Sequence, residues 1–213
     1  MRTTPRAPLP TPAVTAPRSL RLVLASASPT RLRVLRDAGF DPQVIVSGVP
    51  EDIDGLETSR AVVHLAERKA LAVAERGSEG VILACDSMLD LDGTPLGKPA
   101  SPTEARAMWR RLSGNSGVLH TGHCLIDSRT HRKISRLDST LVRFGRPSED
   151  EIDAYVASGE PLALAGAFSI DGRAAPFIDG IEGVPSNVLG VSLPLVRRML
   201  NEAGVVITDL WRS

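Results

Sequence analysis

Aromatic side chains make up only 3% of the 213 residues: four Phe, two Trp and one Tyr. So few rings offer no series of platforms on which unpaired bases could stack, which argues against single-strand nucleic-acid binding. Net charge is lacking as well, because 25 Lys and Arg balance 25 Asp and Glu. A chain without excess positive charge has no bulk field to hold a phosphate backbone. Cysteine is limited to Cys85 and Cys124. Two thiols cannot build the disulfide framework of a small secreted domain, and they suit a reducing, cytoplasmic compartment. No apolar run reaches the roughly 18 residues that a membrane-spanning helix needs. What remains, at 42% apolar and 23% charged residues, is a chain able to bury its own core without metal or disulfide staples.

The first 18 residues stand apart. They contain five prolines, several threonines, three arginines and no acid. Such a segment can neither bury much surface nor form ladders, and its prolines interrupt any signal-peptide core. Residues 1–18 are read as a disordered Pro/Thr-rich leader or an over-called start, and 19–213 as one folded domain.

From Leu20 the pattern becomes regular. Leu20 to Ala25 is a short apolar run that reads as a buried strand. Ser28 followed by Pro29 is a helix start, and that helix should run to Gly39. Gln43 to Val46 reads as a strand, Ser59 to Arg76 as a long amphipathic helix, and Val81 to Cys85 as a buried strand with Asp86 at its carboxyl end. Met88–Leu91 and Thr94–Leu96, joined through Asp92-Gly93, read as a hairpin. Ser101 with Glu104, and Ser148 with Glu151, are capping-box pairs that open two further helices. Alternating runs around 118–127 and 134–144 predict antiparallel strands. Residues 165–170 and 205–210 are expected as strands, with a helix over 193–203. Strands and helices interleave without strict alternation, so a mixed, partly antiparallel α/β sheet with flanking helices is expected.

The candidate chemistry gathers at two strand ends. Ser26-Ala-Ser28-Pro-Thr-Arg31 places hydroxyls, helix-terminal amides and a guanidinium together, which suits an anion. Ordinary capping by Ser28 with a solvated Arg31 explains the same residues. Lys69, Lys98 and Glu51, taken singly, read as surface charges. Asp86 is different, because open α/β sheets keep their ligand crevices at strand carboxyl ends. A structural aspartate satisfied by loop amides is the alternative reading there.

Taken in order, the segments LASASPTR (24–31), SGVPED (47–52), LAERKA (65–70), ACDSML (84–89), LGKP (96–99), LSGNSGVLHTG (112–122), GEPLALAGAFSIDG (159–172) and IEGVPSNVLGVSLPLVRRML (181–200) resemble the Maf family of septum-formation nucleotide pyrophosphatases. The resemblance spans about Leu20–Leu200. It implies a mixed α/β sheet split by a deep cleft, similar to the inosine triphosphatases, and often a homodimer. It implies hydrolysis of nucleoside triphosphates, standard or modified, to monophosphate and pyrophosphate, with Mg²⁺ or Mn²⁺ assisting. By position Asp86 would be the general base and, with Glu51, a metal ligand. Ser26, Ser28 and Arg31 would hold phosphate, with Lys69 and Lys98 neutralising the triphosphate. The family is linked to nucleotide house-cleaning and division arrest. No nucleic-acid or membrane partner is implied.

The chain departs from the family pattern at several points. Thr30 stands where a second arginine is common, and Gly117 where a histidine is common, so no role passes to His120 or His123. Leu164, Phe168 and Asp171 stand where the pyrimidine-preferring branch has lysine, tyrosine and glutamine. Asp171 is therefore expected near the base pocket. A competing motif is Asp90-Leu-Asp92-Gly-Thr94, the DxDGT signature of haloacid-dehalogenase-type phosphatases, which also spells a plain hairpin turn. A nucleotide-binding division regulator would be expected to lack the cleft carboxylate or lysines, yet Asp86, Lys69 and Lys98 are all present.

Overall fold

The computed structural model describes residues 20–52 and 55–212. The segment 1–18 lies outside the described residues. Strands β1 (Leu22–Leu24), β2 (Gln43–Val44), β3 (Val81–Leu91), β4 (Thr94–Leu96), β5 (Ser116–Asp127), β6 (Arg132–Phe144) and β7 (Ile178–Glu182) form one seven-stranded sheet. Its order is β2-β1-β3-β5-β6-β7, with β4 paired to β3 off that path. The β2, β1 and β3 pairings are parallel and the remainder antiparallel. The sheet is thus mixed and flanked by helices, as expected.

Five longer helices cover it: α1 (Pro29–Asp37), α2 (Thr58–Ala74), α3 (Pro102–Leu112), α4 (Glu149–Ala157) and, after the four-residue α5 (Pro185–Val188), α6 (Leu193–Glu202). The expected starts hold, because Ser28, Ser101 and Ser148 each accept the amide three residues on. Around Ser148 the reciprocal bond from Glu151 completes the capping box. Around Ser101 the Glu104 carboxylate reaches Ala100 N–H instead.

Three expectations are corrected. β3 continues past Cys85 to Leu91, so Asp86 sits within a strand. The apolar run ends there because the neighbours change: β1 pairs with β3 only up to Leu24–Leu83, whereas β5 continues alongside to Asp90. Asp86 therefore lies just beyond the end of the parallel strand, facing the gap where β1 stops. Residues 165–170 form no strand. Gly166 and Ala167 are in the left-handed region, with φ of 66° and 60°, and turn the chain through short 3₁₀ segments. Residues 205–210 end in a 3₁₀ turn, because Val205 and Leu210 pack into the core and no sheet edge reaches them. Strand β7, which closes the far edge against β6, had no alternating pattern to reveal it.

α2 lies against β3 and β5, and one glycine permits this. A Cβ on Gly122 would stand 2.2 Å from the Val62 carbonyl oxygen, so helix and sheet backbones touch only where a side chain is absent. That approach lowers the inward stripe of α2, from Thr58 through Val62 and Leu65 to Lys69, onto the sheet. No helix among the described residues is long and apolar enough to cross a membrane.

Candidate active site

After β1 the chain must turn into α1, and its polar groups are spent on that turn. Ala25 N–H still donates to Leu83 O at 2.8 Å. Ser26 Oγ then accepts from Ser28 N–H and from Arg31 Nη1, both at 3.2 Å. Ser28 Oγ accepts from Arg31 N–H as the helix cap. Because Ser26 Oγ only accepts here, its own proton is left to donate into the adjoining space.

Among the described residues, Arg31 is held by neutral acceptors alone. Its Nε donates to Gly190 O at 2.8 Å and its Nη2 to Ser87 Oγ at 2.9 Å. Three of five N–H groups are thus engaged, leaving one on each terminal nitrogen. Among the described residues no carboxylate pairs with it, so its positive charge is directed at whatever occupies the cleft. Gly190 makes this approach possible: its φ is 93°, and a Cβ there would meet Arg31 Nε at 2.9 Å.

Opposite, Lys69 is buried on α2 and inserts its ammonium between two carboxylates. Nζ donates to Asp86 Oδ1 at 2.5 Å and to Glu51 Oε1 at 2.6 Å. Lys69 and Asp86 are each only 7% exposed, and burial of either charge alone would cost several kcal/mol. Asp86 Oδ2 has no hydrogen-bond donor among the described residues. Burial pushes the Glu51 carboxyl up. The Lys69 hydrogen bond and charge, with Lys98 and Arg31 farther off, outweigh that effect and leave it below its ordinary value.

A cleft of about 700 Å³ joins these groups. Ser26, Ser28, Arg31, Glu51, Lys69, Asp86 and Lys98 all line it, so the seven residues singled out for phosphate, metal and base roles arrive in one place. Its other end is mostly apolar: Met88, Leu119, Leu164, Phe168, Val188 and Leu189, with the Ser169 hydroxyl among them. Asp171 stands behind that wall. It accepts from Ser169 Oγ at 2.5 Å and pairs with Arg33 of α1. Ser87, Ser169 and the Leu189–Gly190 turn were not singled out, since each is an ordinary residue brought in by long-range folding. The sole local signal was the position of Ser87 next to Asp86.

Two carboxylates lining one cleft offer oxygen donors that fit a hard divalent cation, which is commonly held by one or two carboxylates together with substrate oxygens. Among the described residues no group of three or more His, Cys, Asp or Glu could form a complete cage. The donor set therefore suits a metal that arrives with a polyphosphate.

The rival aspartate motif is structural. Asp90 Oδ1 accepts from Gly93 N–H and Oδ2 from Thr58 Oγ1, both at 2.7 Å. Asp92 and Gly93 have φ of 51° and 76°, the left-handed pair of a two-residue hairpin turn. His123 is structural too: fully buried, its Nε2 accepts from Ser192 N–H at 2.8 Å while Nδ1 lies 3.1 Å from Thr121 O. Burial, and then the Arg31 charge, push its pKa down to about 4.

Fold and site together define an α/β protein whose cleft is lined by a buried Lys69–Asp86 pair, with Glu51 on the same ammonium. The Maf-like protein family model matches residues 21–203, and the chain belongs to that family. A protein of Streptomyces avermitilis named nucleoside triphosphate pyrophosphatase is 55% identical over 194 residues, covering 90% of this chain and 94% of that one. A protein of the same name from Gloeothece citriformis is 47% identical over 195 residues, covering 91% and 100%. Among solved structures, the Staphylococcus aureus Ham1 protein overlaps at 16% identity and a TM-score of 0.42, covering 59% of this chain and 72% of that one.

Proposed function

We propose that the protein hydrolyses nucleoside triphosphates to the monophosphate and pyrophosphate, with Asp86 as the general base. The observation that carries this reading is the meeting of Asp86, Glu51 and Lys69 in the cleft that Arg31 and Lys98 also line. Membership of the Maf-like family and the shared name of its relatives support it.

The chemistry follows from the charges. A triphosphate brings several negative charges, which Arg31, Lys69, Lys98 and the Ser26 hydroxyl compensate. Ser28 and the first amides of α1 add a positive helix end. Water attacking the α-phosphorus must lose a proton as it bonds. Asp86 Oδ2 takes that proton while Lys69 on Oδ1 holds the carboxylate in place. The α–β anhydride oxygen leaves with the pyrophosphate. Glu51 and Asp86 would hold Mg²⁺ or Mn²⁺, which when bound supplies further charge compensation for the phosphates. The apolar end of the cleft takes the base. Balanced charge gives no hold on a nucleic-acid backbone, so the substrate is a free nucleotide of the cytoplasmic pool, and the role is house-cleaning of that pool.

The test is a panel of standard and methylated nucleoside triphosphates with products resolved. Monophosphate and pyrophosphate in equal amounts, abolished by EDTA and restored by Mg²⁺ or Mn²⁺, are expected. Diphosphate with orthophosphate would overturn the reading.

A further inference from the structure

We infer that Thr121, buried beneath the cleft floor, is a positioning residue that sets the direction of a hydrogen-bond relay and thereby aims Arg31 at the polyphosphate. The inference rests on the proposed function for the identity of the ligand.

The relay runs Arg31 Nη2 to Ser87 Oγ at 2.9 Å, Ser87 Oγ to Thr121 Oγ1 at 3.0 Å, and Thr121 Oγ1 to Asn187 O at 3.1 Å. With Thr121 donating to Asn187 O, which also accepts from Gly190 N–H, the ends leave a single arrangement of protons. A guanidinium can only donate, and a backbone carbonyl can only accept. Thr121 has one hydroxyl proton and gives it to Asn187 O. Ser87 therefore gives its proton to Thr121, and its oxygen faces Arg31 as a pure acceptor. Ser87 lines the cleft beside Asp86, yet its proton points away from it. In this relay it orients Arg31 and does not donate to a phosphate.

The surroundings make the relay stiff. Thr121 and Asn187 are fully buried, so water cannot replace a missing partner. Asn187 is further tied through Nδ2 to Leu119 O and Thr140 Oγ1. Three residues on, Gly190 O accepts from Arg31 Nε. Thus one turn, 187–190, grips Arg31 directly at Nε and, through Thr121 and Ser87, at Nη2. The two remaining N–H groups of Arg31 are left for the ligand. Removing the Thr121 hydroxyl leaves the Ser87 proton without its acceptor. The hydroxyl is then free to rotate toward the cleft, and its lone pair is lost to Arg31.

The test compares Thr121→Val, Thr121→Ser, Ser87→Ala and the Ser87→Ala/Thr121→Val double variant, with Cys124→Ala, a buried change on the same strand outside the relay, as a packing control. Three quantities are read: KM and kcat for the best triphosphate of the panel, the Kd of inorganic tripolyphosphate by calorimetry, and Arg31 Nε–H exchange by NMR. Thr121→Val should raise KM and Kd about tenfold with kcat changed less than about threefold, the pattern of lost ligand binding. Thr121→Ser should restore both to within about twofold, and Cys124→Ala should leave both there. The double variant should be no worse than Ser87→Ala, because the two residues act in series. Arg31 Nε–H should exchange faster in Thr121→Val than in the wild type. Additive losses, failure of serine to rescue, or an unchanged KM in a folded Thr121→Val variant would overturn the inference. If Thr121→Val does not fold, Thr121→Ala and Ser87→Ala carry the same comparison. A wild type that neither hydrolyses triphosphates nor binds tripolyphosphate would sink the proposed function instead, and Arg31 exchange would still report on the relay.

Discussion

The two ends of the sheet are packed with different materials. Around β1, β2 and the first half of β3 the core is aliphatic apart from Phe40: Leu24, Leu35, Leu83 and Met199 on one face, Val23, Ala66, Ala70 and Ile82 on the other. Around the second half of β3, five of the seven aromatic residues gather, Trp109 standing edge-on to Phe144, Tyr155 and Phe177, and Phe144 edge-on to Phe168. The charged groups of the cleft belong largely to the first end and its apolar wall to the second. Small residues (Ala66, Ala70, Gly122) let α2 come down close enough to carry Lys69 into the interior. Large rings instead brace an irregular segment. Trp109 Nε1 at 2.9 Å and Tyr155 OH at 3.2 Å both donate to Ala167 O, pinning a left-handed alanine beside Phe168 and Ser169. Regular structure can be placed by tight packing, but a non-repetitive wall needs individual hydrogen bonds to stay in one conformation.

The contrast breaks first at Asp86. Asp86→Asn keeps the shape and removes the proposed proton acceptor, so turnover should fall by roughly 10² or more. Asp90→Asn, four residues along the same strand in the hairpin end, should keep turnover within a few-fold while lowering the melting temperature, since Asp90 only anchors Thr58 and the turn. Steady-state rates and melting curves on both variants decide the matter. Dead Asp90→Asn with active Asp86→Asn would reverse the assignment of the two aspartates.

The aromatic end should respond in the opposite way. Trp109→Phe keeps a ring but deletes one donor to Ala167 O, which should cost about 1–3 kcal/mol of stability. It should also alter the ranking of bases in the triphosphate panel, because the wall beside Phe168 loosens. Affinity for inorganic tripolyphosphate should stay within about twofold, since the proposed phosphate contacts are made by Arg31, Lys69 and Lys98 and not by this wall. A loss of tripolyphosphate binding as large as the change in base ranking would show that the two ends are not separable.

A smaller effect links the ends through pH. His123 in β5 is kept neutral until about pH 4, by burial and then by the Arg31 charge, whereas in the unfolded chain it titrates near 6.5. Between those values the unfolded state binds more protons, so stability falls as the solution is acidified, by at most about 1.4 kcal/mol per pH unit. Denaturant titrations from pH 7 to 4 should show this slope, and His123→Gln should flatten it. An unchanged slope in the variant would assign the acid sensitivity to other groups.

Much of this was legible before any fold was known. Ser28-Pro29 and Ser148 with Glu151 announced helix starts through chemistry local to a few residues, and Asp92-Gly93 announced its turn in the same way. The seven cleft residues could be singled out because they fall in short ordered segments that resemble one family. The segment 165–170 was misread as a strand because its apolar residues say only that it is buried. Its bonds run to Gly97 O and from the Trp109 and Tyr155 side chains, which no local pattern encodes. β7 went unseen because its five residues, half-buried or exposed, make no clean alternation.

What the sequence by itself determined, then, is the set of elements with strong local chemistry, the mixed α/β class, and the residue types available for binding a polyphosphate. Helix caps, turn glycines and apolar periodicity act over a few residues, so they can be read along the chain. The tertiary structure alone decided that Lys69 would stand between Asp86 and Glu51, that Asp90 would be consumed by Thr58, and that Ser87 would face Arg31. Those outcomes depend on distances between residues 17 to 56 positions apart. They are set by where β1 ends and by how closely α2 can rest on Gly122, and packing of that kind has no signature in neighbouring residues.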